Sequence, residues 1–423
     1  MSQLKFIFID CHKKTVGVVI RCMKTYIKST FIILLIHFET AGAGSNTLNL
    51  EDFLRKVQVQ SPEIQIEKSM QEEFKAKALG IRIPPPMVGF MNMKDSGGNN
   101  QGLEVTQEIP FPTKIVKEKE VRELEAKAQN KKFSYKKNEI QLEARKAYFE
   151  FWKIFEIKKI LDEKLAWLKQ HVRLSRSIAR SDSAGQLHLL ATESELDQLD
   201  NEILETQTDL IEKINNLRNF VPDLQTQDLV PDSTPRLDEV SQEKNKINLL
   251  VIAKESDLQA ARATKELKKQ SYLPDFILRY RSYNGNEMTP RSEEIMIGIT
   301  LPFVFFGQSQ SEISEASAKQ QRTETEVLKT KLSIETQLES LVEKSKSIRQ
   351  QIENFKDKLI PRAHKRMKLV ENLTVRSMEG LDEHRMVMLD YLDLRQKEIN
   401  SRFELEKINI EILKIINDQE DKL

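Results

Sequence analysis

Cysteine is confined to the start of this 423-residue chain, where it occurs only as Cys11 and Cys22. A disulfide framework and a thiolate metal site are therefore excluded from everything that follows. Residues that reverse a chain are also scarce, with 13 glycines and 13 prolines, and aromatic residues make up only 7%. This composition favours long helices over many short elements joined by turns.

An excess of charge of one sign is missing as well. Charged residues make up 31% of the chain, yet the formal net charge is +1. No general basic surface is available, so a nucleic-acid partner is not expected. The chain is hydrophilic on average, which excludes a protein built from membrane-spanning helices.

Motifs for catalysis and cofactor binding are absent from the sequence. There is no P-loop, no Gly-x-Gly-x-x-Gly after a strand and no Gly-x-Ser-x-Gly. The six histidines form no pair at helical spacing, although Asp382, Glu383 and His384 are consecutive. A metal site at these three residues and a simple polar turn are both compatible with the sequence, and we favour the turn. The sequence therefore predicts a protein that is not an enzyme and that has no cofactor or bound metal.

Residues 23–43 have the pattern of an export signal. A segment with two lysines is followed by a short apolar run at 31–36, and small residues precede a cleavage point after Ala43. The run is too short to cross a bilayer as a helix. Residues 1–22 then form an N-terminal extension that precedes a good start at Met23. The alternative is an amphipathic anchor that stays attached.

The body of the chain is duplicated, with a first repeat at 44–222 and a second at 236–423. Each repeat has a helical opening, a proline, two short alternating segments ending in a proline, and two long helices. The match is residue by residue, as in Pro86 with Pro274. Residues 223–235 between the repeats are polar and proline-rich, which is typical of a linker.

The alternating segments predict four β-strands. Each is about as long as a tilted membrane-spanning strand, and polar tips at 94–100 and 284–287 suit loops. Four strands cannot close a pore, since small barrels need about eight, so several chains would be required. The alternative is a small soluble sheet with one wet face. The predicted strands are 86–93, 102–110, 274–284 and 294–303.

Long coiled-coil helices give the strongest pattern in the sequence. Two of them span roughly 70 residues, or about 105 Å at 1.5 Å per residue. Apolar residues in them step alternately by four and three, which predicts left-handed coiled-coil packing. Pro361 should kink the second of these helices. The predicted helices are 113–184, 186–220, 307–379 and 381–419.

Taken together, these features resemble the TolC-like outer membrane efflux proteins. The resemblance covers about residues 46–419, and two local sequences suggest the ducts of metal-cation RND systems. Those sequences are Pro86–Met93 and Gln107–Pro112. The family resemblance rests further on Asn49–Phe53 with Ser61–Ile64, on Tyr272–Phe276, on Leu301–Phe303 with Gly307, and on Leu359–Pro361 with Ala363.

The resemblance implies an α+β membrane protein. Three chains would form a 12-stranded outer-membrane barrel that continues into the periplasm as a coiled-coil helical barrel. The homotrimer would be a passive exit duct of a tripartite efflux or type I secretion system, working with a periplasmic adaptor and an RND or ABC pump. The alternative function is a periplasmic coiled-coil adaptor or scaffold without a pore. The sequence does not distinguish metal ions, drugs and exported proteins as substrates.

The resemblance also assigns roles to residues at the far ends of the helices. The predicted turns at which an adaptor docks contain Ala184, Gly185, Gln186, Glu379, Gly380 and Leu381. An ordinary helix C-cap is the alternative for each glycine. Asp390 and Asp393 lie three apart on one helix face. They are interpreted either as an acidic constriction of the tube or as part of a solvated face.

Three methionines of the first predicted strand have two interpretations. Met87, Met91 and Met93 are thioether side chains of the kind that bind soft copper ions. They are also apolar, flexible side chains that pack against lipid or neighbouring strands. The packing interpretation is favoured here.

Overall fold

The computed structural model describes residues 47–95, 98–178, 183–227, 229–237, 248–285, 290–302, 306–371 and 378–416. The predicted extension, export signal and cleavage point at Ala43 lie outside the described residues. The chain divides into a small unit, Met1–Thr47 with Gln227–Val230, and a large unit, Leu48–Thr226 with Pro231–Leu423. In the small unit Leu229 is buried. All that follows concerns the large unit.

The described first half of the large unit contains four helices, the two strands of a hairpin, and Leu48, which ends the two-residue strand Thr47–Leu48. Asn49 caps the first helix by accepting a hydrogen bond from the Glu51 N–H at 2.8 Å. Proline occupies the first turn of the second helix, where its missing N–H costs nothing. The elements are α1 (Leu50–Gln60), α2 (Pro62–Ala78), β1 (Met87–Asp95), β2 (Gly98–Ile109), α3 (Pro112–Ile178) and α4 (Ser183–Phe220).

The second half repeats this order with one opening helix instead of two. Asn248 caps that helix through the N–H groups of Leu250 and Val251. A short 3-10 turn, Gln270–Tyr272, leads into the strands. The elements are α5 (Leu249–Lys269), β3 (Phe276–Tyr283), β4 (Ser292–Ile299), α6 (Phe306–Asn354), a π-helical turn (Phe355–Leu359), α7 (Ile360–Glu371) and α8 (Met378–Ile416).

The four strands form one antiparallel sheet in the order β1-β2-β3-β4. The first hairpin is tighter than predicted. Residues 94–100 were expected to form a polar loop, but Lys94 pairs with Asn99 and Asp95 pairs with Gly98. Backbone ladders need no particular side chain, so polar residues extend the hairpin, and Gly98 adopts a positive φ of 112° at its tip. The last strand ends earlier than predicted, at Ile299.

Coiled-coil seams hold the long helices together. Ile157, Leu161 and Leu168 of α3 are buried against Leu199 and Ile203 of α4. A second seam joins α6 to α8, where three isoleucines of α8 pack on apolar residues of α6. The α8 residues are Ile408, Ile412 and Ile416, and the α6 residues are Leu338, Leu341, Val342 and Ile348. Each buried Leu or Ile side chain contributes about 1.5–3 kcal/mol, so the apolar spacing read from the sequence accounts for the pairing of helices.

The second long helix changes its hydrogen-bond register just before Pro361. The Ile360 N–H donates to the carbonyl of Phe355, five residues back, within the π-helical turn Phe355–Leu359. Proline cannot donate to the carbonyl four residues before it and its ring crowds that turn. A π-turn absorbs this defect without ending the helix. The disturbance expected at Pro361 is therefore a π-helical turn just before the proline, and the helix continues beyond it.

The predicted linker is irregular apart from the two-residue strand Val230–Pro231, and its later residues contact α3. The buried Tyr148 hydroxyl donates to the Leu48 carbonyl at 2.7 Å and accepts from the Ser233 N–H at 3.0 Å. The Asp232 N–H donates to the same Leu48 carbonyl at 3.0 Å. Pro235 is also buried. The segment that connects the two halves is therefore hydrogen-bonded to the Tyr148 side chain of α3.

Within the described residues, no helix combines the length and the apolar character that crossing a membrane would require.

Gly102 is the tightest point of the sheet. A Cβ atom at this position would lie 2.5 Å from the Ser282 carbonyl oxygen of β3. Gly102→Ala should therefore lower the free energy of unfolding by about 1–3 kcal/mol, the usual cost of overpacking. Gly89→Ala in β1 is the control, because a Cβ there meets no atom within 4 Å. Chemical denaturation of the purified variants measures both. Equal stability of the two variants would contradict the β2–β3 register.

Candidate functional site

One face of the sheet is apolar across all four strands. Side chains that pair directly across antiparallel strands lie on the same face. Val88 pairs with Val105, Val105 with Tyr280, and Tyr280 with Ile295. Phe90 is 83% exposed and Ile297 is 77% exposed. The apolar residues of this face are Val88, Phe90, Leu103, Val105, Ile109, Phe276, Leu278, Tyr280, Ile295, Ile297 and Ile299, and the register also places Gln107 on it, with Asn92, Gln101, Ser282 and Glu293 nearer the hairpin tips.

The opposite face is polar and is organised around one carboxylate. Glu104 accepts hydrogen bonds from Arg281 at 2.8 Å and from the Thr106 hydroxyl at 3.0 Å. Arg279 lies 3.3 Å from the other Glu104 oxygen, and Arg281 lies 3.8 Å from Glu294. These charges are paired across three strands. The single-layered sheet therefore has one mainly apolar face and one charged face.

The three methionines of β1 lie on the polar face. Met87 pairs with Thr106, and Met91 pairs with Gly102. Both partners lie two residues from Glu104 along β2, so they share its face. Met93 is on the same face because side chains alternate along a strand. The three methionines therefore do not belong to the apolar face, and their packing against lipid or neighbouring strands stays a prediction.

Asp275 joins the sheet to the long helices. Its carboxylate accepts from Lys114 of α3 at 2.8 and 2.9 Å and from the Phe111 N–H at 2.8 Å. Its own N–H donates to the Thr300 hydroxyl at 2.7 Å, and its carbonyl accepts from the Thr300 N–H at 2.8 Å. One aspartate therefore connects the start of β3, the end of β4 and the start of α3.

The residues predicted to form turns at the far end are helical. Ala184, Gly185 and Gln186 lie in the first turn of α4, and Glu379, Gly380 and Leu381 lie in the first turn of α8. Among the described residues the glycines with positive φ are Gly80, Gly98 and Gly285. The six residues predicted to form turns therefore belong to helices α4 and α8. Ser181, Asp182 and Ser183 are residue types that start helices, which explains why α4 begins ahead of Gly185.

Asp390 and Asp393 are both exposed on α8. Asp390 lies 3.4 Å from Arg366 of α7, and Asp393 lies 2.6 Å from Lys397. Both carboxylates belong to a row of exposed positions that alternate in steps of four and three. The row is Glu379, Glu383, Met386, Asp390, Asp393 and Lys397. Such a row is one exposed face of α8, and it is mainly acidic.

A histidine cluster that sequence spacing did not reveal lies where α3, α4 and α8 meet. His171 Nε2 of α3 lies 3.4 Å from His188 Nε2 of α4. Burial first, and then the nearby His188, His384 and Arg385, lower the pKa of His171 to about 4. The two histidines are 17 residues apart, so only the hairpin brings them together.

The described part of the chain has no group of three or more His, Cys, Asp or Glu side chains arranged to hold a metal ion. Of the three consecutive residues noted in the sequence, Asp382 pairs with Arg385 at 3.0 Å. The ring of His384 lies edge-on to Trp167, with centroids 5.6 Å apart. All three residues are in α8 and not in a turn.

A four-stranded sheet at one end of two coiled-coil helical hairpins is the fold of the TolC-like outer membrane channels. The OprN outer-membrane channel matches with a TM-score of 0.71 and 11% identity, over 87% of this chain and 89% of that one. The Campylobacter jejuni CmeC outer membrane channel matches at 0.70 and 12%, over 87% and 85%. The open-state Neisseria gonorrhoeae MtrE outer membrane channel matches at 0.70 and 12%, over 87% and 88%. The resemblance to this fold is therefore confirmed.

Sequence comparison alone does not find this relationship. No protein-family model matches the chain, and no curated protein matches it in sequence.

The Asp275 junction can be separated into its charged and neutral parts. Asp275→Asn should retain an acceptor for the Phe111 N–H and lose only the ion pair with the partly buried Lys114, so it should cost less than Asp275→Ala. Asp275→Ala should lose both and cost about 1–3 kcal/mol, because the N–H is left without its acceptor. Chemical denaturation measures the difference. Equal losses in the two variants would show that the backbone contact contributes nothing.

Proposed function

We propose that this chain is one protomer of a homotrimeric outer-membrane exit duct, a passive conduit for substrates driven by an inner-membrane pump. The observation that carries the proposal is the two-faced sheet. An exposed, mainly apolar face suits lipid, and a charged face on the other side suits a water-filled lumen. Large side chains are exposed on both faces, such as Phe90 and Ile297 on the apolar face and Met87 on the polar one.

Trimerisation follows from the edges of the sheet. β1 and β4 each have one neighbour within the described residues, so each offers a row of unpaired backbone groups. Such edges are satisfied by another chain or by closure into a barrel. Three copies of four strands would close a 12-stranded barrel, with the apolar faces outward.

The helices would continue the barrel into the periplasm. The 67 residues of α3 correspond to about 100 Å. At the far end, the first turns of α4 and α8, which contain Gly185 and Gly380, would dock a periplasmic adaptor. Leu187 and Leu190 support this role because they are 72% and 64% exposed. The pump partner would be of the RND or ABC class, and the substrate class stays open.

Asp390 and Asp393 would form a constriction that favours cations. Three copies of α8 would bring six carboxylates to one lumen, and rings of carboxylates select for cations. The exposed acidic row on α8 supports this assignment. The intrachain partners Arg366 and Lys397 would moderate the charge.

The first test concerns the apolar face. Leu278→Arg and Ile297→Arg should each cost about 2–4 kcal/mol near the bilayer midplane and abolish assembly in the outer membrane. Ile277→Arg is the matched control, because Ile277 lies beside Leu278 on the opposite face and pairs with Glu108. Protein purified from the outer membrane in mild detergent is imaged as single particles.

The expected result is hollow threefold cylinders well over 100 Å long for the parent chain and Ile277→Arg, and none for the other two variants. Solid rods, or a protein that remains dispersed without detergent, would support the scaffold alternative. Normal cylinders from Leu278→Arg and Ile297→Arg would exclude contact of this face with lipid.

The second test concerns the constriction. The double variant Asp390→Ala with Asp393→Ala should raise single-channel conductance or weaken cation preference in planar bilayers, since it removes six negative charges from the lumen. Asp209→Ala is the control, as Asp209 is an exposed acid of α4 about 40 Å along the helix from Ser183. Unchanged conductance and selectivity in the double variant would place the aperture elsewhere.

A further inference from the structure

The buried histidine pair links three helices near the end of the hairpins. His171 of α3 is 2% exposed, and its ring stacks on Trp167 with centroids 5.1 Å apart. His188 of α4 faces it through Nε2 at 3.4 Å. On its other side, His188 Nδ1 lies 3.9 Å from the Asp382 carboxylate of α8.

The contacts continue from α8 back to α4. Arg385 of α8 donates to Asp382 at 3.0 Å and to Glu195 of α4 at 3.1 Å. Leu381 and Val387 on the same stretch of α8 are buried. A chain of polar side chains that starts at His171 and ends at Glu195 therefore attaches the beginning of α8 to the α3/α4 hairpin.

The protonation state of the histidine pair is restricted by this geometry. Two facing Nε2 atoms are satisfied when one carries a proton and the other accepts it. His171 Nδ1 is buried and has no hydrogen-bond partner, so a proton placed there is left without an acceptor. A pair of neutral rings is thus the arrangement that fits.

The charges around His171 make an added proton still less favourable. His188 faces it from α4, and Asp382, His384 and Arg385 face it from α8. Two imidazolium rings with their nearest nitrogens 3.4 Å apart would repel each other in a site shielded from water. Among these residues only Asp382 carries a negative charge, and it already forms an ion pair with Arg385.

We propose that His171 and His188 form an acid-sensitive fastening, in which the facing rings hold the start of α8 on the α3/α4 hairpin and protonation of His171 releases it. A group whose pKa is lowered on folding contributes stability that is fully present above its ordinary value of about 6.5. That contribution is lost as the pH falls from about 6.5 towards 4. In the proposed duct, on which this consequence rests, release would move Asp390 and Asp393 and widen the aperture in acid.

Hydrogen–deuterium exchange of the full chain in detergent tests the fastening independently of any channel activity. His171→Phe keeps the ring against Trp167 and cannot bind a proton. His188→Gln keeps a side chain that donates and accepts, also without titrating. His364→Phe is the matched control, since His364 packs against Tyr391 outside the cluster.

In the parent chain and in His364→Phe, amides of residues 378–392 should exchange on the order of tenfold faster, relative to residues 140–157, at pH 5 than at pH 7.5. In His171→Phe this acceleration should fall below about threefold, with protection at pH 7.5 retained. In His188→Gln it should be smaller than in the parent chain, because the repulsion from the second ring is removed while His171 stays buried. An equal response to pH in all four proteins would overturn the proposal. Loss of protection at both pH values in the two cluster variants would also overturn it, because the rings would then act only as packing.

Bilayer recordings of the same variants separate this proposal from the proposed duct. A channel whose conductance does not respond to acid, combined with the expected exchange result, would leave the fastening in place and remove its link to the aperture. Absence of any channel would contradict the duct and would not affect the exchange result.

Discussion

The pleat of an antiparallel sheet sends alternate side chains to opposite faces, and the register of the four strands keeps those alternations in phase. Val88, Val105, Tyr280 and Ile295 consequently form one apolar row across the sheet. A shift of one residue in any strand would move its apolar residues into the row of Glu104 and Arg281. The closeness of Gly102 to the Ser282 carbonyl helps to fix this register. The separation of an apolar face from a charged one, and hence the proposed function, depends on this register.

The helices depend on a different regularity, the seven-residue apolar repeat, and polar contacts add specificity to it. Along α8 these contacts differ in strength. Towards its C-terminal half the buried Glu406 pairs with Arg145 of α3 at 2.7 Å, and breaking a buried ion pair by removing one partner typically costs about 3–5 kcal/mol. At its start α8 is held by neutral histidines and by partly exposed ion pairs, which are weaker. The end near Asp390 is therefore the part of α8 that small changes in charge can release.

Much of the fold could be predicted from periodicity. Steps of four and three identified the seams that contain Leu161 and Leu338, and alternation identified the four strands. Segment ends were less predictable, as the Lys94–Asn99 pair and the early start of α4 before Gly185 show. Turn-forming residue types mark a region where the chain can reverse, but the backbone hydrogen bonds decide where pairing stops. The site was predicted only in part, because residues on one helix, such as Asp390 and Asp393, reveal their common face by spacing alone.

The sequence by itself determined the duplicated order of elements, the lengths of the helices and the two chemical characters of the strands, because each follows from local periodicity. Tertiary structure alone decided which distant residues meet. Nothing in the spacing of His171, His188 and Asp382 indicates that they form one cluster, and nothing in the spacing of Asp275, Lys114 and Thr300 indicates a junction. Such contacts depend on how helices and strands pack after the chain reverses. A periodic pattern along the sequence carries no information about the distance between residues on different elements.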